Sequence, residues 1–516
     1  MTGEHGRAPR HTRRGDGVAA ARRRSRARRR LTTHRQRRAA AIVSLVAVLV
    51  GIGVADRLVG RAAAPAFEAT SALAATSVPA AGSESTSWYC AGGTGSQGGA
   101  PMAIVLTNGT RHVVTGTASV IPALGVSGTS TRPWAGSVEL PVAVPAGGQV
   151  TLGPVQLASA SFLAVAVVLN GGGVSVAQSA SSPLGWSMSP CASSTAPTWY
   201  FAPGVTVQGG GLVLSLFNPG ATDAAVDISL FSSTSGFLEP AAYQGIDVPP
   251  GSLVTENLGD HAPDDAALGT EVAALTGTVV ATELDSVGSA GAGGLSLVLG
   301  SPALSSQWVF PQSAGIAGGK VVFHVLNPTT NPVSVTVDIG LTNGAAAEPL
   351  SMRIPPQGQT ALDTADEIRI PSDAPYALTF TTRRGAIVVS RQVSAPSGLP
   401  APVPEDGDVA GVPGASRRWL VPAAVSPGTG AWSMAIIDVG ATATTVHVTT
   451  PTGQAVGGVR PQVIKPGVPL LIGPTPGPPF GTAPFVVRAD QPVAVELDAL
   501  PVAGPGVVVI PAFASG

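Results

Sequence analysis

Residues 320–341 read KVVFHVLNPTTNPVSVTVDIGL. An apolar run ends at Asn327-Pro328, where proline withholds the backbone donor that the next ladder bond would need. Beyond the turn, Val333, Val335, Val337 and Ile339 alternate with Ser334, Thr336 and Asp338. Successive side chains of a strand point to opposite faces, so this period of two predicts a strand with one buried face. A sheet is where the fold must begin.

The same hairpin recurs along the chain. LTNG at Asn108, LFNP at Asn218 and IIDV at Asp438 occupy the place of VLNP at Asn327. Upstream of each lies a tryptophan: Trp88, Trp199, Trp308 and Trp419, spaced by 111, 109 and 111 residues. Downstream come Pro/Gly corners, VPAGG at Val144, VPPG at Val248, IPPQG at Ile354 and IKPG at Ile464. Each repeat then closes on a Val-rich strand with one polar marker, Gln178, Glu283, Arg391 or Glu496. Four markers in one order in four places define an internal repeat.

A repeat of about 110 residues with roughly seven short strands has the size of an immunoglobulin-like β-sandwich. A β-propeller is the alternative, but its blades need only about 40–50 residues and would place a second set of landmarks inside each repeat. The sequence therefore predicts an all-β ectodomain of four tandem sandwiches: 88–194, 195–304, 305–398 and 417–516. A Pro-, Gly- and Asp-rich linker at 399–416 precedes the last. A tryptophan at a fixed place in such a repeat reads as a core or interdomain packing residue rather than a sugar-stacking platform. Lone charges in apolar final strands, Glu283, Arg391 and Glu496, read as edge-strand guards against sheet-to-sheet pairing.

Of 516 residues, 44% are hydrophobic and 11% charged, which excludes wholesale disorder and long coiled coils alike. The net charge of −1 conceals an asymmetry. Residues 1–38 hold fourteen Arg against Glu4 and Asp16, whereas the rest of the chain holds 15 basic and 28 acidic residues. Between the two lies 39–55, AAAIVSLVAVLVGIGVA, with Ser44 its only polar residue. As a helix it spans roughly 25 Å, and Arg37, Arg38 and Arg57 can snorkel to complete a membrane crossing. Arginine on one flank predicts the tail inside and the remainder outside. The expected order is an Arg-rich disordered cytoplasmic tail (1–38), one transmembrane helix (39–55) and a flexible spacer (56–87). Cleavage of a signal peptide near Ala62-Ala63-Ala64, with secretion, is the alternative. The tail is expected to serve topology rather than to bind nucleic acid.

The two cysteines, Cys90 and Cys191, both fall in the part expected outside, where an oxidising environment permits a disulfide. Such a bridge would staple the first strand of the first unit to its exit. Candidate chemistry is sparse. His112, His261, His324 and His447 fall at unrelated repeat positions, and no HExxH or GxSxG occurs. His447 is expected to face solvent, and His324 to be a hydrogen-bonded, half-buried residue. GTGSQG, Gly93 to Gly98, fits GxGxxG, but Pro101 and a strand follow it where a phosphate-binding loop needs a helix. Asp260, Asp264 and Asp265, and Glu405, Asp406 and Asp408, lack the spacing of known calcium loops and read as solvated loops.

The W-[YV]-[CF] openings at Trp88, Trp199 and Trp308 and the L-x-N-P turns at Asn218 and Asn327 carry a resemblance. The chain resembles uncharacterised membrane-anchored exported proteins of high-GC Gram-positive bacteria, a domain of unknown function, with tandem β-sandwich repeats. The resemblance implies an envelope location and supplies no catalytic residue. The expectation is a non-catalytic, membrane-anchored extracytoplasmic scaffold or binding module without cofactor, metal or small-molecule substrate. Its partners would be envelope glycans or a membrane protein. An accessory subunit of a glycan-assembling membrane enzyme is the alternative, and an envelope hydrolase split across domains the third reading.

Overall fold

The computed structural model describes residues 76–96, 98–124, 136–153, 160–207, 210–289, 292–313, 320–372, 374–394, 407–423, 429–456, 459–473, 483–501 and 508–515. The Arg-rich tail, the apolar segment 39–55 and most of the spacer lie outside the described residues. Among the described residues no helix is long and apolar enough to cross a membrane.

The first unit shows the pattern. Its strands are β1 (Thr86–Ala91), β2 (Met102–Asn108), β3 (Val114–Pro122), β4 (Val138–Val144), β5 (Gln149–Leu152), β6 (Leu163–Leu169), β7 (Val174–Ser182) and β8 (Gly185–Pro190). They form two antiparallel sheets, ordered β1-β6-β3-β4 and β5-β2-β7-β8. The second and third units repeat this order, the second with its β4 counterpart split into Gly236–Leu238 and Ile246–Val248. In the fourth, the counterparts of β6 and β7 fuse into one strand, Phe485–Pro501, that serves both sheets. Each unit is therefore an all-β sandwich of two facing sheets and not a propeller blade, which is a single sheet. An eighth strand exceeds the expected seven. In the third unit it is Gly407–Ala410, paired with Val388–Ser394, so the expected linker 399–416 contributes a strand to that unit.

The Asn hairpins have a common physical basis. Asn218 donates from Nδ2 to Thr222 O and Val248 O (both 2.8 Å), while Oδ1 accepts from Gly220 N at 2.9 Å. Asn108 makes the same bonds to His112 O and Val144 O, and Asn327 to Asn331 O and Pro355 O. One buried side chain thus closes its own turn and ties it to the Pro/Gly corner, satisfying carbonyls that burial would otherwise leave unpaired. Asp438 keeps only the acceptor half, from Gly440 N at 2.8 Å, and its buried Oδ2 has no partner.

The four units close on one another. The outer face of each unit's first sheet packs on the second sheet of the next: β1 against Gly211–Asn218 and Val280–Ser289, Thr198–Gly204 against Lys320–Asn327 and Val388–Ser394, and Gln307–Ser313 against Thr429–Asp438 and Phe485–Pro501. The fourth unit meets the first in the same way. Gln149 Oε1 accepts from Ala423 N at 2.9 Å, and Leu420 lies over Gly109. Trp88 meets Phe513 edge to face, ring centroids 5.8 Å apart. First and fourth units consequently share one hydrophobic cluster. The segment before β1 spans this seam. Val78 N donates to Ala514 O at 2.8 Å, and Gly173 N to Pro79 O at 2.9 Å.

Candidate functional site

The four tryptophans of the repeat are all buried. Trp199, Trp308 and Trp419 donate from Nε1 to Val279 O, Ile387 O and Val493 O, each at 2.8 Å, while the buried Nε1 of Trp88 has no partner. In the last three units a satisfied indole N–H offsets the cost of burying the whole ring in the core.

Two residues after Trp88, Trp199 and Trp308, the chain meets the residue that leaves the closing strand. In the first unit that meeting is the disulfide Cys90–Cys191, with Cα atoms 4.6 Å apart. In the second, Gly300 abuts the ring of Phe201, and a Cβ there would lie 2.6 Å from Cζ. In the third, Gly411 abuts Phe310 with the same 2.6 Å limit. A large ring needs a partner without a side chain, so Phe with Gly fills the volume that two cysteines fill by bonding.

The closing strands, Gly185–Pro190, Ala292–Leu299, Gly407–Ala410 and Val508–Ile510, or the residues that leave them, converge at the centre of the ring. Ser187 and Ser189 accept from Leu297 N (2.9 Å) and Leu299 N (2.8 Å), joining the first two closing strands. Around them lies a cavity of about 130 Å³ to which all four units contribute. Its wall is mainly apolar and includes Met188, Leu299, Trp308, Val412, Trp419 and Ile510, with Glu496 the charged member.

Glu496 belongs to a buried ion cluster. Arg391 Nη1 lies 2.8 Å from Glu496 Oε1, and Nη2 lies 3.8 Å from Asp498 Oδ1. Arg391 also donates to Gln312 O, and Ser433 donates to Gln312 Oε1 at 2.8 Å. The cluster joins the third unit to the fourth. Burial pulls the Arg391 guanidinium down, but the facing Glu496 and Asp498 outweigh it and hold Arg391 above its usual range. Burial, then the Glu496 charge, pushes Asp498 well above the usual carboxylate range. In the second unit, burial pushes Glu283 up to about 8, Thr270 opposing and Asp285 adding.

These positions correct the expectation of edge-strand guards. Gln178, Glu283, Arg391 and Glu496 are all buried, in strands hydrogen-bonded on both sides. The closing strand covers the edge that Glu283, Arg391 and Glu496 were expected to guard. Gln178, Glu283 and Arg391 oppose Ile104, Leu214 and Phe323, each four residues before its Asn landmark, and so face their own cores. Glu496 opposes Ala435, only three residues before Asp438, and so faces the neighbouring unit. That shift by one residue is what brings Glu496 to Arg391.

Asp265 departs from the expected solvated loop. It is buried, accepts from Ser232 Oγ and Ser233 Oγ and from Ala267 N at 3.0 Å, and thereby locks the approach to Leu268–Thr276. Asp264 beside it holds a left-handed backbone, φ 56°. Glu405 and Asp406 lie outside the described residues, as does the side chain of Asp408. Among the described residues no group of three or more His, Cys, Asp or Glu could hold a metal ion. His112 and His447 are exposed, His261 packs on Tyr243, and His324 Nε2 lies 3.1 Å from Gln392 Oε1. In the Gly93–Gly98 loop, Gly98 N donates to Gly95 O and Ala100 N to Thr94 Oγ1, both at 3.0 Å, and strand β2 follows.

No match is found among curated proteins. Among solved structures, a crystal structure of Thermotoga maritima 1070 is 13% identical, with 21% of this chain and 92% of that chain covered and a TM-score of 0.19. A tetra-tandem repeat in the extending region of a large adhesion protein is 11% identical, covering 79% and 93%, with a TM-score of 0.09. The Broad Bean Stain Virus structure is 11% identical, covering 63% and 93%, with a TM-score of 0.12. At these scores the likenesses carry no argument about function. A family match runs over residues 170–465, from the approach to β7 to the last Pro/Gly corner, and the chain belongs to that Family of unknown function (DUF5719).

Proposed function

We propose that the protein is a non-catalytic, membrane-anchored extracytoplasmic module of the cell envelope that works as a closed four-unit scaffold. The observation that carries this reading is the use made of the recurring residues. Trp199, Trp308 and Trp419 and the three Asn landmarks bind backbone carbonyls, the Phe–Gly and Cys–Cys pairs fill one packing slot, and Arg391 with Glu496 joins two units. These are architectural roles. The Cys90–Cys191 disulfide supports an oxidising compartment, and the arginine excess before residue 39 supports an inside tail. A rigid ring offers a partner, whether an envelope polymer or an integral-membrane enzyme, a surface that no single sandwich has.

The test is genetic. Replacing His112, His261, His324 and His447 by Gln, one at a time, is expected to leave the cellular phenotype intact, while deletion of one whole unit abolishes it. A null phenotype from a single His→Gln change in protein that folds and exports normally contradicts the non-catalytic reading. Cysteines placed before residue 31 are expected to resist a membrane-impermeant thiol reagent in whole cells. Labelling there contradicts the orientation.

A further inference from the structure

We propose that residues 76–83, which lead into β1, are a strap that latches the ring shut at the seam between the fourth and first units. Release of the strap opens the ring at that seam and leaves the other three seams closed. This goes beyond the scaffold reading, which needs closure but assigns no residue that controls it.

The seam differs from the others in its connectivity. Consecutive units are joined by short stretches of chain, 191–197, 300–306 and 411–415, whereas the fourth and first units are not consecutive. The strap takes the place of a link. It continues into β1 of the first unit and pairs in parallel with the exit of the fourth, Val78 beside Ser515. Val78 N donates to Ala514 O at 2.8 Å, and Gly173 N donates to Pro79 O at 2.9 Å. Val78 is buried in the cluster that the two units share, with Trp88, Leu420 and Phe513.

The first unit is shaped to receive the strap. Its turn between β6 and β7 holds three glycines, Gly171, Gly172 and Gly173, where the corresponding turns of the second and third units hold one each, Gly277 and Gly385. A Cβ on Gly172 would lie 1.8 Å from Ala80 O, so only glycine lets the strap lie this close. Yet the strap is held lightly. Of its residues only Val78 is buried, while Ala80, Ala81 and Gly82 are exposed. A segment with few buried apolar contacts opens at a free energy below that of global unfolding. Any pull on the chain upstream of Thr76 reaches β1 only through the strap. The membrane-anchored reading supplies the source of that pull, but the latch itself does not rest on it.

The test is dipolar spectroscopy on the full chain in detergent. One pair of spin labels, at Arg111→Cys and Thr452→Cys, spans the seam of the first and fourth units, and both positions are exposed. A second pair, at the exposed Thr234→Cys and Thr330→Cys, reports on the second and third units. Val78→Asp removes the buried contact of the strap, and Gly172→Ala puts a methyl group where Ala80 O lies. In both variants the short Arg111–Thr452 distance of the natural chain is expected to give way to a broad, longer distribution. The Thr234–Thr330 distance should stay unchanged. Gly172→Ala leaves the shared cluster intact and decides the matter should Val78→Asp fail to fold. An unchanged first distance in Gly172→Ala overturns the latch. So does broadening of both distances in that variant, which would make the strap a part of the general fold. Neither outcome depends on whether the chain is anchored in a membrane.

Discussion

The first and second units solve one packing problem with different chemistry. Where the chain leaves the closing strand and crosses the opening strand, the first unit bonds Cys90 to Cys191 and the second lays Phe201 over Gly300. The covalent solution acts partly on the unfolded chain by closing a loop across 101 positions. The aromatic solution acts only on the folded state, through volume and exclusion of water. The same fold therefore tolerates exchange of the pair but not of one member alone. A second pair of sites teaches the same lesson. Glu283 and Arg391 occupy equivalent core-facing positions with opposite formal charge, and each is neutralised differently. Arg391 borrows carboxylates from the next unit, whereas Glu283 keeps a proton.

The largest effect is expected at the disulfide. Replacing Cys90 and Cys191 together by Ser should cost about 4–5 kcal/mol in the chain-entropy description, read as a lower denaturant midpoint of the first transition. An unchanged midpoint would show that the slot is held by packing alone, as in the second unit.

The pH response of Glu283 comes next. Its pKa is raised from 4.5 to about 8 in the folded protein, so the folded state binds the extra proton between those values. Stability from this group is fully present below about pH 4.5, falls as pH rises towards 8, and levels off above it, a loss of a few kcal/mol. Denaturant titrations from pH 5 to 9 should show a shallower fall for Glu283→Gln than for the natural chain. Parallel curves would mean that the buried carboxyl finds compensation.

Smaller is the effect of breaking the Phe–Gly pair. Gly300→Ala places a Cβ 2.6 Å from Phe201 Cζ and should cost about 1–3 kcal/mol by overpacking. Adding Phe201→Val should relieve that strain, so the double variant should be less destabilised than the two single changes sum to, by thermal unfolding. Strict additivity would sink the idea of a shared slot.

The smallest change is a gain. Asp438→Asn restores the Nδ2 donor that Asn108, Asn218 and Asn327 use twice each, and should stabilise the fourth unit by about 1 kcal/mol. A decrease would mean that Asp438 has a role its three counterparts lack.

The repeat, the hairpins and the burial of Trp88, Trp199, Trp308 and Trp419 depend on local pattern and fixed spacing, and both are written along the chain. What escaped was long-range. Gln149 meets Ala423 across 274 positions, and nothing near either residue marks the meeting. Closure of the ring therefore had no local signal, nor did the cavity that closure creates. The polar markers were legible as a set but misread. An isolated charge in an apolar strand suits an exposed edge as well as a buried partner, and only the closing strand decides between them. Glu496 passed for the counterpart of Arg391 because spacing alone does not resolve one residue, yet one residue reverses the face of a strand. The Phe–Gly slot left a faint signal, aromatic residues two positions after Trp199 and Trp308. Their glycines lie about a hundred residues downstream among many others.

Closure of the four sandwiches is the central claim, and one distance tests it. Arg111 and Thr452, both exposed, belong to the first and fourth units, and the Arg111 guanidinium lies beside Gly453. The native cysteines are bonded to each other, so spin labels can be placed specifically at Arg111→Cys and Thr452→Cys in the full chain. A sandwich is roughly 30 Å long at about 3.4 Å per strand residue, so two intervening units in an open string would hold the labels about 60 Å or more apart. Dipolar spectroscopy should return one narrow distribution far shorter than a single sandwich plus its label tethers could span in an open string. A broad distribution centred near the open-string separation would contradict the closed ring.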